Sequence, residues 1–243
     1  MKGALLAILI TMLSLGALYA QDTTLTEEGQ RAGQISLGVR GNWVIGFHNP
    51  QLLGEWIKAD IIFADDGPAD SVSHGRTSGG GGTIFTSYAI NETMSVQLEF
   101  NFIDQGYDLR FTSTDKLSST VVEVTYPTID IPVLFRYNVS KTRALMGAQI
   151  GPHISIPIGR LSISETGYRE EWYTWEGSVH TEATFGFTAG LFLGIPIFMY
   201  SRIVGDVRYI HDLTSAKIQD KGTTVAFITR RALIFGIGYE FSF

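Results

Sequence analysis

Seven ionisable residues stand inside segments that are otherwise largely apolar: Arg40, Glu99, Asp130, Arg136, Asp206, Arg208 and Glu240. Successive side chains of an extended chain point to opposite faces, so each charge lies on the face turned away from its large apolar neighbours. Gathered within one wall, these arginines and carboxylates can do one of two things. They can hold strands in register as buried ion pairs, or they can exchange partners and open a narrow path for ions. Counted along their strands, Arg40, Glu99, Asp130 and Arg208 fall near one level, with Arg136, Asp206 and Glu240 a little lower.

A second candidate is His153 with Ser155 in GPHISIP. Their spacing of two puts both on one face, and a histidine that activates a serine is the centre of many hydrolases. No acid stands out as the orienting partner, and two polar residues near a rim is the competing reading. The third candidate is aromatic and acidic. Residues 48–82 hold Glu55, Asp60, Asp65, Asp66 and Asp70, and residues 158–183 hold Glu165, Glu170, Glu171, Glu176 and Glu182. Trp56, Trp172, Tyr173 and Trp175 lie among them. That composition suits contact with an external partner, and it equally suits a loop lying at a membrane surface. No spacing resembles a calcium loop, and neither a metal nor a cofactor is expected.

The elements that must carry these residues show a period of two. The chain ends in ALIFGIGYEFSF, in which Leu233, Phe235, Ile237, Tyr239, Phe241 and Phe243 share one face. The other face is small or polar except at Ile234. Residues 34–47, 94–103 and 128–137 alternate in the same way, and weaker strands fit 82–90, 144–157, 185–195 and 202–210. With a last strand from about residue 224, eight strands are expected. Short connections alternate with long ones at about 48–80, 104–121, 158–183 and 211–223. This is the rhythm of an outer-membrane barrel, with short inner turns, long outer loops and an even strand count. Lipid tolerates no unpaired backbone group, so the sheet closes and the greasy last strand pairs with the first. The expected fold is therefore all-β, an eight-stranded antiparallel up-and-down transmembrane barrel. A lipocalin-like calyx is the nearest alternative, but it puts the apolar face inside and would leave the charged face bare.

The 243 residues are 44% apolar, 12% aromatic and only 17% charged, with no cysteine. The opening MKGALLAILITMLSLGALYAQD reads as a signal peptide cut after Ala20. Residues 21–33 then form a short periplasmic segment, and the barrel domain spans 34–243. Removal of residues 1–20 takes away Lys2 and leaves 17 basic against 24 acidic residues, a balance that excludes nucleic acid as a partner. Without cysteines the exported chain is held by its sheet and not by disulfides.

The runs TSYAINETMSVQLEFNFIDQG, YPTIDIPVLFRYNV, GAQIGPHISI and GDVRYIHDLTS, with the terminal aromatic, resemble the small outer membrane β-barrel family often labelled PorT-like. The resemblance implies an integral protein of the bacterial outer membrane. Its expected partners are outer-membrane lipid, the barrel-assembly machinery acting on the strand that ends in Phe243, and an unknown external ligand. A monomer is expected. Three functions stay open: a barrel that anchors surface loops, a narrow conduit gated by the lumenal ion pairs, and a lipid-modifying enzyme using His153 and Ser155.

Overall fold

The computed structural model describes residues 31–48, 71–74, 78–113, 118–140, 144–158, 162–166, 174–176, 183–198, 200–220 and 223–243. The expected signal peptide, the expected periplasmic segment up to position 30, and Trp56, Trp172 and Tyr173 lie outside the described residues. Thirteen strands and no helix occur among the described residues. They are β1 (Ile35–His48), β2 (Ser71–His74), β3 (Ser78–Ala89), β4 (Met94–Ser113), β5 (Ser118–Asn138), β6 (Leu145–Pro157) and β7 (Ser162–Thr166). The remainder are β8 (Thr174–Glu176), β9 (Thr184–Phe198), β10 (Ser201–Asp212), β11 (Ala216–Asp220), β12 (Thr223–Ile228) and β13 (Arg230–Ser242).

Eight of these close into a barrel in the order β1, β3, β4, β5, β6, β9, β10, β13 and back to β1, every pair antiparallel. Each barrel strand pairs with its neighbours in sequence, and β13 closes on β1 from Ser36↔Ser242 to His48↔Arg230. The Phe243 amide then donates to the Ile35 carbonyl at 2.8 Å. The terminal strand is therefore not an edge.

The period of two sets the faces as expected. Phe100 is 51% exposed and its neighbour Glu99 is fully buried; Val39 is 56% exposed and Arg40 only 6%. Large apolar side chains cover the outside while charged ones line the inside. That is the inverse of a soluble calyx and the arrangement a bilayer demands. Two prolines sit where the ladder skips. The β4–β5 register passes over Glu99 and Phe100 opposite Ile131 and Pro132, and the β5–β6 register passes over Val133 and Leu134 opposite Gly151 and Pro152. Proline has no N–H to give to a ladder, so each break falls where that donor is missing.

The long connections differ from loops. At 104–121 the β4–β5 ladder continues out to Ser113↔Ser118, about 30 Å beyond Ile103 at the rise of an extended chain. Alternation in YDLRF and the β-branched run TVVEV explain that continuation. The β2 strand adds to β4, β7 adds to the outer half of β5, and β8, which holds Trp175, adds to β7. The expected last strand from about residue 224 is two elements: β12 folds back on β11, and β13 begins at Arg230.

If the outward face meets hydrocarbon, Phe100→Arg should lower the unfolding free energy in bilayers by about 2–4 kcal/mol, the cost of a cation near the midplane. A denaturant titration of the lipid-inserted barrel measures it, and an unchanged midpoint would contradict the assigned face.

Candidate functional site in the lumen

An eight-stranded barrel leaves an interior only wide enough to be filled by side chains, and the charged residues fill it in three groups. In the middle, Arg40 of β1 donates to both Glu99 of β4 and Asp206 of β10, while Arg208 of β10 donates to the other oxygen of Glu99. The Arg208 Nε also lies 3.3 Å from Asp206 Oδ1. Asp206 and Arg208 stand two residues apart on one strand, which is why they share this layer. All four residues are buried, and two positive charges meet two negative ones. The amide of Gln97 also donates to Glu99, and its oxygen accepts from Arg136 at 2.6 Å, tying this quartet to the group below.

Glycines make the room. A Cβ on Gly190 would come within 2.8 Å of Arg208 Cγ, and one on Gly236 would run into the Asp206 carboxylate. Both lie on the lumenal face of their strands. The Arg40 guanidinium rests 4.7 Å from the Phe85 ring centroid, so one side of it is covered by an aromatic face.

Toward the end bearing the chain termini, Arg136 and Arg202 flank Glu240 at 3.9 and 3.7 Å. Toward the opposite end, both oxygens of Asp130 accept from Arg230 Nη1 at 2.8 and 2.9 Å. Asp212 accepts from Arg230 at 3.2 Å, from Thr184 at 2.8 Å and from His153 Nε2 at 2.8 Å. Asp130 thus pairs with Arg230 and not with Arg40 or Arg208, although it lies opposite Asn101, two residues from Glu99.

The alternation count passed over Arg202, Asp212 and Arg230. All three were legible: stepping back by twos from Phe243's neighbour Ser242 reaches Arg230, and Arg202 and Asp212 share the parity of Asp206 and Arg208. The strand expected over 202–210 stops short of Asp212, which ends β10. Asp212 is the acid that orients His153. With Nε2 donating to Asp212, Nδ1 accepts from the Thr188 hydroxyl at 3.2 Å. Both ring nitrogens are therefore committed to partners other than Ser155.

Outward of the middle group lies an apolar layer on one side of the lumen. Val44, Ile103, Ile210, Ala232 and Ile234 pack together, each at most 1% exposed. They stand on strand faces that are otherwise mostly polar. Val44 sits four residues outward from Arg40, Ile103 four from Glu99, and Ile210 two from Arg208. These residues come from β1, β4, β10 and β13, and the buried residues paired with Ile103 on β5 and with Ile210 on β9 are Thr128 and Thr188, so the layer is polar on its other side.

Glu99→Gln should cost roughly 3–5 kcal/mol, because it leaves two buried guanidinium groups facing the single carboxylate of Asp206. Glu99→Gln with Arg208→Gln should cost less than the two singles summed, as contacting residues couple. Denaturant unfolding of the four proteins gives the cycle, and strict additivity would mean that the pair does not interact.

The model of the outer membrane protein beta-barrel domain family matches residues 19–217. No curated protein matches the chain. The crystal structure of the outer membrane protein OprG from Pseudomonas aeruginosa aligns over 88% of this chain and 98% of its own, at 11% identity and a TM-score of 0.51. The solid-state NMR structure of outer membrane protein AlkL in DMPC bilayers covers 92% and 96%, at 14% identity and 0.49. Ail, the attachment invasion locus protein of Yersinia pestis, covers 86% and 99%, at 10% identity and 0.38. At these identities the likeness concerns the fold. The family match covers most of the chain, and with the inverted faces and the closed sheet it places the protein in the bacterial outer membrane, as a member of the outer membrane protein beta-barrel domain family.

Proposed function

We propose that the barrel is a closed membrane anchor whose task is to hold its outer elements at the cell surface for contact with an external partner. The observation that carries this reading is the lumen: a neutral quartet of Arg40, Glu99, Asp206 and Arg208 fills it, with an apolar layer of Val44, Ile103, Ile210, Ala232 and Ile234 on one side. An ion crossing there has to separate buried ion pairs and is offered no polar path along the apolar side. The outer elements are the β4–β5 hairpin, the β2, β7 and β8 strands added to it, and the β11–β12 hairpin. Trp175 of β8 is a contact candidate among them, and Trp56, Trp172 and Tyr173, outside the described residues, are the others that the sequence offers.

The second reading is a narrow conduit gated by exchange among Arg40, Glu99, Asp130, Arg136, Asp206, Arg208 and Glu240. Its support is that all of these but Asp130 form one connected system, with Gln97 bridging the quartet to Arg136 and Glu240 beside it. A lipid-modifying enzyme has less behind it, because His153 spends both nitrogens on Asp212 and Thr188. The same reading makes the chain a non-enzymatic monomer, since each barrel strand finds both neighbours within one chain. Its folding partner is the barrel-assembly machinery. The ring of Phe243 remains 68% exposed beside Phe241 and is free to be recognised before closure.

In a planar bilayer the refolded chain should give no discrete current steps after heat-modifiable mobility shows that the barrel has closed. Ile234→Gly combined with Glu99→Gln removes a block from each layer and should introduce steps. Steps in the unmodified chain that change with Glu99→Gln alone would favour the conduit.

A further inference from the structure

The outward wall of β13 is apolar until its last row. Its outward side runs Phe241, Tyr239, Ile237, Phe235 and Leu233, and then reaches Arg231, which is exposed. Among the barrel-strand residues whose side chains are described, Arg231 is the one arginine or lysine that faces outward. Asp104 of β4 is the one outward carboxylate among them, and β1 and β3 stand between its strand and β13. Opposite Arg231 lie Phe47 on β1 and His211 on β10. Directly opposed residues turn their side chains to one face, so neither neighbouring strand offers the guanidinium a carboxylate on that rung.

His211 is held by rings. It lies 5.3 Å from the Phe187 ring centroid and stacks on Tyr209 at 6.2 Å, and its buried Nδ1 has no hydrogen-bond partner. A guanidinium, an imidazole and a phenol thus share one patch of the wall, with aromatic faces around them.

Depth decides the ligand. At about 3.4 Å per residue and a tilt of about 40°, the run from Phe241 to Arg231 rises roughly 25 Å, the height of the apolar band of such a barrel. Just beyond it Ser215 and Thr229 pair their exposed hydroxyls at 2.8 Å, so the greasy wall has ended. Arg231 therefore stands at headgroup height on the side from which the β4–β5 hairpin projects, and aromatic rings belong at that height. The anion fixed there in a membrane is lipid phosphate, whose oxygens match the fork of a guanidinium. At the opposite rim Tyr88, Tyr137, Tyr200 and Tyr239 are exposed and no barrel-strand cation faces outward among the described residues, which confines the feature to one leaflet.

We propose that Arg231, His211 and Tyr209 form a phosphate-recognition site on the lipid-facing wall, which holds the phosphorylated headgroup of an outer-leaflet lipid against β10 and β13. Arg231 supplies the charge and the fork, and the imidazole and phenol supply further donors. The assignment to the outer leaflet rests on the orientation that puts the long hairpins at the cell surface. It does not depend on whether the lumen conducts.

The test is native mass spectrometry of the refolded full chain in maltoside micelles, titrated with lipid A that carries two phosphates. One lipid should stay bound, and the same lipid stripped of its phosphates should not. Arg231→Gln should weaken retention by about tenfold, the order of one lost charge-assisted hydrogen bond. Arg231→Lys keeps the charge and should hold most of it. Equal retention of the phosphate-free lipid, or an Arg231→Gln protein that holds lipid A as tightly as the unmodified chain, would overturn the proposal. Displacement of the lipid by millimolar inorganic phosphate would also overturn it, because the rim would then be a site for soluble anions. A micelle has no sides and carries no current, so failure here is separate from failure of the anchor reading.

Discussion

Everything in this molecule follows from the absence of water around its outer wall. A backbone amide facing hydrocarbon has no partner other than another strand, so the sheet must close, and the last strand must find the first. Closure at eight strands then fixes a second quantity, the width of the interior. That width is too small for a water-filled bore and large enough for two layers of side chains. The polar face rejected by lipid is therefore folded into a space where each charge has to be matched.

The matching explains the composition. Arginine reaches across the lumen and offers several donors to carboxylates on different strands, which is how Arg40 joins β4 to β10 and Arg230 joins β5 to β10. A lumen packed with guanidinium groups needs strand positions with no side chain, and Gly190 and Gly236 supply them beside Arg208 and Asp206. The apolar layer then separates the middle quartet from Arg230 and Asp212 along β13 and β10, while Asp130, opposite Asn101, stands on the quartet's side of Ile103. The inner group has no such cover and opens toward the end that bears the chain termini.

Much of the barrel was legible in the sequence because the period of two survives from end to end. The strands, their inward and outward faces and the closing pair all follow from it. The breaks in that pattern were equally informative, since Val44, Ile103 and Ile234 converge on one apolar layer, but their meeting needed the register to be seen. Asp130 lies opposite Asn101, two residues from Glu99, but its partner Arg230 was not among the charges expected to meet it. Asp212 was missed because polar residues beyond Ile210 looked like a loop, and with it went the partner of His153. The outward run of β4 and β5 was lost for a related reason: beyond the membrane an alternating strand needs no long greasy face, and its signal is weaker.

The central claim is that the lumen is closed by the ion-paired quartet together with the apolar layer of Val44, Ile103, Ile210, Ala232 and Ile234 on one side of it. The chain has no cysteine, so a single one reports cleanly. Cysteine placed at Ser87, on the inward face near the chain termini, and separately at Ala232, within the apolar layer, can be challenged in vesicles with a charged, water-soluble thiol reagent from either side. The account predicts that Ser87→Cys is modified from the inner side and that Ala232→Cys resists from both. Modification of Ala232→Cys as fast as Ser87→Cys would mean that water and ions pass the layer, and the barrel would have to be regarded as a channel.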